Sequence, residues 1–281
     1  MKTNYHHKTL GPLAARLIVT LSSNDRSVFH FRDAEKILGA RAPASKVLSQ
    51  LINHRVVSRL KSGVFRIIPF ELGFEKEYLG NPYVVARELA LAGRNNSNAT
   101  YYLSYGSAFE LHQMITQPQF DIFISSPKMI RSRTIQGTNF NFVRCKEKDV
   151  FGITEIWLDK NEKVRVSDLE RTLIDGLKQP AYCGGISEVA KAFTIKRHDI
   201  DPQKLIDYAL RLGVGAVTRR LGYLMELYEI GSRIHWEFLQ TKLTNTYQLL
   251  DPELPAEGRF IAKWRLRLNV SPEELLAIGE T

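Results

Sequence analysis

Apolar residues recur at Leu10, Leu13, Ala14, Leu17, Ile18 and Leu21, the spacing of one helical face, so the chain opens on an amphipathic helix over Leu10–Leu21. The run Ser27 to Phe31 reads as a short extended piece, and Arg32–Leu38 returns to helical spacing through Ala34, Ile37 and Leu38 before Gly39 stops it. A third helix, with Pro43 in its first turn, continues to about His54 and buries Val47, Leu48, Leu51 and Ile52. Two alternating stretches follow, Val56–Leu60 and Val64–Ile68, joined by the turn residues Lys61, Ser62 and Gly63.

Pro69 and Gly73 end this region, and Gly80, Asn81 and Pro82 form a second break. The pattern divides the chain into residues 1–72, a connector over 73–82, and a larger domain over 83–281. Val84–Ala92 is an apolar helix and Asn95 to Asn98 a loop. Thr100–Ser104 has strand composition and Ser107–Met114 looks helical. Phe120–Ser125, Phe140–Cys145, Val150–Leu158 and Val164–Val166 read as successive strands. Ser167 opens a helix to Leu177, with Glu170 completing a capping box. Helices then follow over Ile186–Phe193, Leu205–Leu212, Ala216–Tyr228 and Ser232–Asn245, and Arg259–Val270 is a late strand or irregular segment. Strands followed by helices give an α+β fold ending in a helical block.

Charge sharpens this division. Met1–Phe70 carries 12 Lys and Arg against 3 Asp and Glu, which is the entire net charge of +9, because the other residues hold 27 of each sign. Clustered cations beside a neutral body are the electrostatic footprint of a nucleic-acid-binding module. Hydrophobic content of 44% and charged content of 25% are ordinary for a globular protein, and no apolar run is long enough to span a bilayer. The N-terminus lacks the apolar core of a signal peptide, so a cytoplasmic location is expected.

Three helices followed by a hairpin is the order of a winged helix-turn-helix, whose third helix enters the major groove while the hairpin leans on the backbone or minor groove. The polar face of the third helix is then Ser45, Lys46, Ser49, Gln50 and Asn53, short donors and acceptors with one cation. Arg41, Arg59, Lys61 and Arg66 are placed to meet phosphates. Any solvated helix face carries such polar residues; their combination with the element order, the cationic hairpin and the charge count is what favours duplex DNA.

Catalytic signals are sparse. Cys145 and Cys183 lie far apart, without ligand spacing, and read as small apolar fillers. Neither Gly184-Gly185 nor Gly213-Val214-Gly215 completes a phosphate-binding loop. Asp168 and Asp175 share a helix face, so a metal-dependent nuclease or nucleotidyltransferase is the enzymatic alternative, and a ligand-sensing regulator is a third. The structural role is favoured: Asp168 and Glu170 suit a helix N-terminus, and Arg171 pairs with Asp175 at i, i+4. His112, His198 and His235 stand alone, and Tyr102 is expected to pack inward with Tyr101 and Tyr105 at a rim. No cofactor, metal or catalytic residue is assigned.

Several stretches also resemble AbiEi-type antitoxins. These are Tyr101 to His112 (YYLSYGSAFELH), Val164 to Leu177 (VRVSDLERTLIDGL), Pro180 with Gly184-Gly185-Ile186, Arg220 to Leu224 (RLGYL), and the terminal Leu250-Asp251-Pro252, Pro255 and Gly258. Singly these motifs are weak; their order and spacing are fairly specific, and with the N-terminal region they cover nearly the whole chain. The resemblance implies a transcriptional autorepressor and antitoxin of a type IV toxin–antitoxin module serving phage abortive infection. Its N-terminal domain would bind inverted repeats in its own promoter, and its C-terminal domain would counter a nucleotidyltransferase-like toxin without requiring a stable complex. The segment Arg32–Gly39 departs from the family pattern.

Overall fold

Helix α1 (Pro12–Ser23) buries Ala14, Leu17, Ile18 and Leu21, most of the stripe its spacing predicts, while Leu13 of that stripe is exposed and Leu10 precedes the helix. The computed structural model describes residues 10–24, 26–69, 79–91, 100–115, 120–160 and 162–278. Two units divide the chain: one comprises residues 1–99 with 135–137 and 159–162, the other the remainder.

In the first unit α1 is followed by β1 (Val28–His30), α2 (Phe31–Leu38), α3 (Arg41–Asn53), β2 (Val57–Lys61) and β3 (Val64–Ile67). The strands form one sheet in the order β1-β3-β2, both pairings antiparallel, with a register shift between Arg59 and Lys61. Asp33 accepts from the backbone of His30 at 2.8 Å and so fixes the start of α2; Gly39 ends it at φ +84°, a conformation glycine adopts without a Cβ penalty. Ala44, Val47, Leu48 and Leu51 of α3 pack on α1 residues and on Phe29, whose ring stacks on Phe65 at 5.8 Å.

Helix α4 (Pro82–Leu91) belongs to this first unit, not to the head of the larger domain. Asn81 accepts from the backbone of Tyr83 at 3.0 Å and Pro82 is the first helical residue. The Asn-Pro pair read as a break is therefore a helix start, where the missing proline N–H costs nothing. His30 Nε2 lies 2.8 Å from Glu88 Oε2, tying α4 to the N-terminal elements. Burial works against the charge of Glu88, but His30 and Arg87 outweigh it and hold its carboxyl below the usual range. The expected connector over 73–82 and the loop Asn95–Asn98 fall mostly or wholly outside the described residues.

The second unit is α+β. Its larger sheet has the order β6-β7-β5-β4-β9-β8, built from β4 (Tyr102–Leu103), β5 (Asp121–Ser126), β6 (Arg133–Ile135), β7 (Thr138–Arg144), β8 (Ile153–Trp157) and β9 (Lys163–Ser167). β5/β7 and β4/β9 are parallel, while β4/β5 and β8/β9 are antiparallel. Helices α5 (Tyr105–Leu111), α6 (Leu169–Lys178), α7 (Ile186–Ile195), α8 (Pro202–Leu212), α9 (Gly215–Leu227) and α10 (Arg233–Gln240) contribute to its core. A small sheet follows, in the order β10-β12-β11, from β10 (Gln248–Leu249), β11 (Arg259–Ile261) and β12 (Leu266–Leu268), and α11 (Pro272–Ile278) closes the described chain. Among the described residues no helix is long and apolar enough to cross a membrane.

Three local expectations are corrected. Ser167 ends β9, so the cap of α6 is Asp168, which accepts from the backbone of Arg171 at 2.9 Å; Glu170 instead accepts from the backbone of Asp201 at 3.1 Å. Tyr101 and Tyr105 are buried along with Tyr102; the Tyr105 ring packs edge to face on Phe123 and Tyr182. Helix α10 stops at Gln240, since Thr244 and Thr246 turn their carbonyls to Arg219.

Candidate nucleic-acid interface

Helix α3 separates its residues cleanly. Ala44, Val47, Leu48 and Leu51 face the core, while Ser45, Lys46, Ser49, Gln50 and Asn53 are all exposed. These five lie at i, i+4 and i, i+3 spacings and therefore share one surface. Their donors and acceptors match base edges: the Gln and Asn amides can be bidentate to adenine, the serines accept or donate, and Lys46 is a cation.

Of the four residues expected at phosphates, Arg41 and Arg59 are exposed. The Arg41 guanidinium carbon lies 5.9 Å from the Phe31 ring centroid, which positions it at the start of α3. Arg59, on β2, reaches Ser62 Oγ only at 3.5 Å, a weak bond that water or a phosphate can displace. Lys61 is half-buried beside it. Arg66 does not fit the expectation. It is 4% exposed in β3, and its Nη1 donates to the carbonyl of Leu79. The β3 register, with Arg66 opposite Val28 and Ser58 and both neighbours paired, turns this side chain toward the segment before α4. The sequence showed Arg66 as one of several hairpin cations and gave no sign of that cover.

In the second unit the carboxylates of the enzymatic alternative are not brought to one open site. Asp168 caps α6, accepts from Tyr208 Oη at 2.9 Å and pairs with Lys204 Nζ at 3.2 Å. Asp175 is 1% exposed, and Arg171 Nε donates to its Oδ1 at 3.0 Å. Arg171 is equally buried, donates through Nη2 to Tyr102 Oη at 3.2 Å, and sits 4.1 Å from the Phe151 ring centroid. Burial lifts the Asp175 carboxyl above the usual carboxylate range despite that guanidinium, and drives the Tyr102 phenol well above its ordinary value. Partial burial opposes the Lys204 charge, but its hydrogen bonds to Glu170 and Asp168 raise the ammonium above the ordinary lysine value. Among the described residues no three His, Cys, Asp or Glu side chains are grouped as a metal would need.

The isolated histidines have local roles. His112 Nε2 lies 2.6 Å from the Ser167 carbonyl, and His235 Nδ1 accepts from the backbone of Ser232 at 3.1 Å at the start of α10. Burial lowers the affinity of His112 for a second proton. Cys145 is partly buried, Cys183 fully, and both are free thiols.

Among solved structures, the chain is similar to the RV2827C protein from Mycobacterium tuberculosis, a crystal structure, with a TM-score of 0.70 at 16% identity, over 98% of this chain and 97% of that one. At that identity the likeness carries the fold alone. No family model and no curated protein matches the chain.

Proposed function

We propose that this chain is a DNA-binding transcriptional autorepressor that doubles as the antitoxin of a type IV toxin–antitoxin module. The observation that carries the DNA-binding reading is the α3 surface: five groove-compatible side chains exposed together on a helix whose other face is fully buried. The order of helices and strands in the first unit supports reading it as a winged helix-turn-helix, with α3 in the major groove and the β2–β3 hairpin as wing. Arg41 and Arg59 then meet phosphates, with Lys61 at the wing tip. The excess of cations over the first seventy residues supplies the attraction to duplex phosphates.

The antitoxin half of the reading rests on the resemblance of the second unit's segments to AbiEi-type proteins. In this reading the protein acts in the cytoplasm, represses its own promoter through inverted repeats and counters a nucleotidyltransferase-like toxin. Its work is binding, with no catalytic step and no cofactor assigned.

Gel retardation of the fragment upstream of the chain's own coding region tests the first half. Lys46→Ala with Gln50→Ala is expected to abolish retardation while the far-ultraviolet circular dichroism and the melting temperature stay unchanged. Undiminished operator affinity in that folded variant would overturn the α3 assignment. Co-expression with a neighbouring nucleotidyltransferase-like gene tests the second half; growth arrest that this chain fails to relieve would refute the antitoxin role.

A further inference from the structure

We propose that the outer face of the small C-terminal sheet binds single-stranded RNA by stacking bases on Tyr247 and Phe260. Leu266 and Leu268 of β12 are buried, so one face of this sheet belongs to the core. Arg267 lies between them and pairs across the ladder with Phe260 of β11, which puts both on the opposite face. Phe260 is 60% exposed and Tyr247 37%, and their rings meet edge to face at 5.2 Å. An arginine accompanies each ring: the Arg267 guanidinium carbon is 5.1 Å from the Phe260 centroid, and that of Arg265 is 5.8 Å from the Tyr247 centroid.

Leaving aromatic rings this open to water is unfavourable and needs a reason. Charge indicates which occupant the face fits. Arg259 to Leu268 reads RFIAKWRLRL, with no acidic residue; Lys263 is paired with Glu226, and Arg265 and Arg267 stand at the open rings. A purely apolar partner would leave those guanidinium groups desolvated beside it. A single-stranded nucleic acid satisfies both features, since its bases stack on aromatic rings while its phosphates meet the arginines. RNA presents unstacked bases in loops and ends, and its 2′-hydroxyl, which DNA lacks, gives the arginine donors a further acceptor. This surface is distinct from α3, so the inference stands whether or not the duplex-binding reading holds.

Fluorescence anisotropy of the full chain with a labelled mixed-sequence RNA of about 12 nucleotides tests it. Tyr247→Ala with Phe260→Ala is expected to weaken binding about tenfold or more, and Phe260→Trp to retain it. Arg265→Gln with Arg267→Gln is expected to flatten the salt dependence of RNA binding. Lys46→Ala with Gln50→Ala should leave RNA affinity in place, and the two aromatic substitutions should leave duplex retardation in place. Wild-type RNA affinity in the folded aromatic variant would overturn the proposal. So would an unchanged salt dependence in the arginine variant, RNA binding lost only on changing α3, or DNA of the same sequence binding as tightly.

Discussion

Arginine does opposite work in the two units. In the first, Arg41 and Arg59 are exposed, and among the described residues Arg59 makes one weak bond to Ser62 and Arg41 a ring contact with Phe31. In the second, Arg171, Arg219 and Arg220 are buried to within a few per cent and bonded inside the protein, although Arg171 Nη1 has no hydrogen-bond partner among the described residues. Arg219 donates to the carbonyls of Gly215, Thr244 and Thr246, and Arg220 to those of Leu177 and Leu249. A hydrated guanidinium can exchange water for phosphate at little cost, whereas a desolvated one is committed to the carbonyls and carboxylates that compensate its burial. Formal charge counts the two alike. The contrast teaches that a basic segment becomes an interface only where its cations remain solvated, and Arg66 shows the boundary running through the first unit itself.

The most severe way to break this contrast is to remove a committed arginine. Arg171→Leu strands the buried Asp175 carboxyl and is expected to cost about 3–5 kcal/mol in denaturant unfolding. Adding Asp175→Leu should recover much of that loss; a single variant as stable as the wild type would show that the pair does not organise the core. Gly222→Ala probes the same helix that carries Arg219 and Arg220. A Cβ there would stand 2.0 Å from the buried Trp264 ring, so a loss of about 1–3 kcal/mol or more is expected in thermal unfolding.

Exchanging the solvated and buried arginines of the first unit sharpens the comparison further. Arg66→Gln is expected to lower stability by about 1 kcal/mol, because the half-buried Leu79 carbonyl loses its charged donor, without changing the salt dependence of DNA binding. Arg59→Gln should do the reverse: unchanged melting temperature, and a log–log salt slope reduced by about one unit. Identical behaviour of the two variants would erase the distinction.

The smallest effect expected is a pH dependence at His112. Burial depresses its proton affinity in the folded state, so the unfolded chain binds more protons as the pH drops below about 6.5. The sign is therefore a stability contribution complete above that pH and lost below it. Melting temperatures across that range should fall less steeply for His112→Gln, whose amide can still donate to the Ser167 carbonyl.

Much of the local structure was legible in the chain. The stripes of α1 and α3, the glycine stop of α2 and the hairpin turn follow from side-chain periodicity and backbone freedom, which neighbours far along the chain do not alter. Ser271, Pro272 and Glu274 also spelled out a helix start: Ser271 and Glu274 bond reciprocally at 3.0 and 3.1 Å, though the sequence reading stopped short of α11. The short strands β6 and β10 were not legible, because two or three residues are too few to establish an alternation.

By itself, then, the sequence determined the stripes of α1 and α3 and the glycine stop of α2, which face of α3 stays polar, and that the positive charge is concentrated near the start. Only the tertiary structure decided which charged side chains remain in water. The desolvation of Arg66, Arg171, Arg219 and Arg220, the capture of α4 by His30, and the meeting of Tyr247 with Phe260 on an open sheet all depend on contacts between residues distant in the chain. Periodicity reports a residue's own face; whether another segment covers that face is a property of the fold.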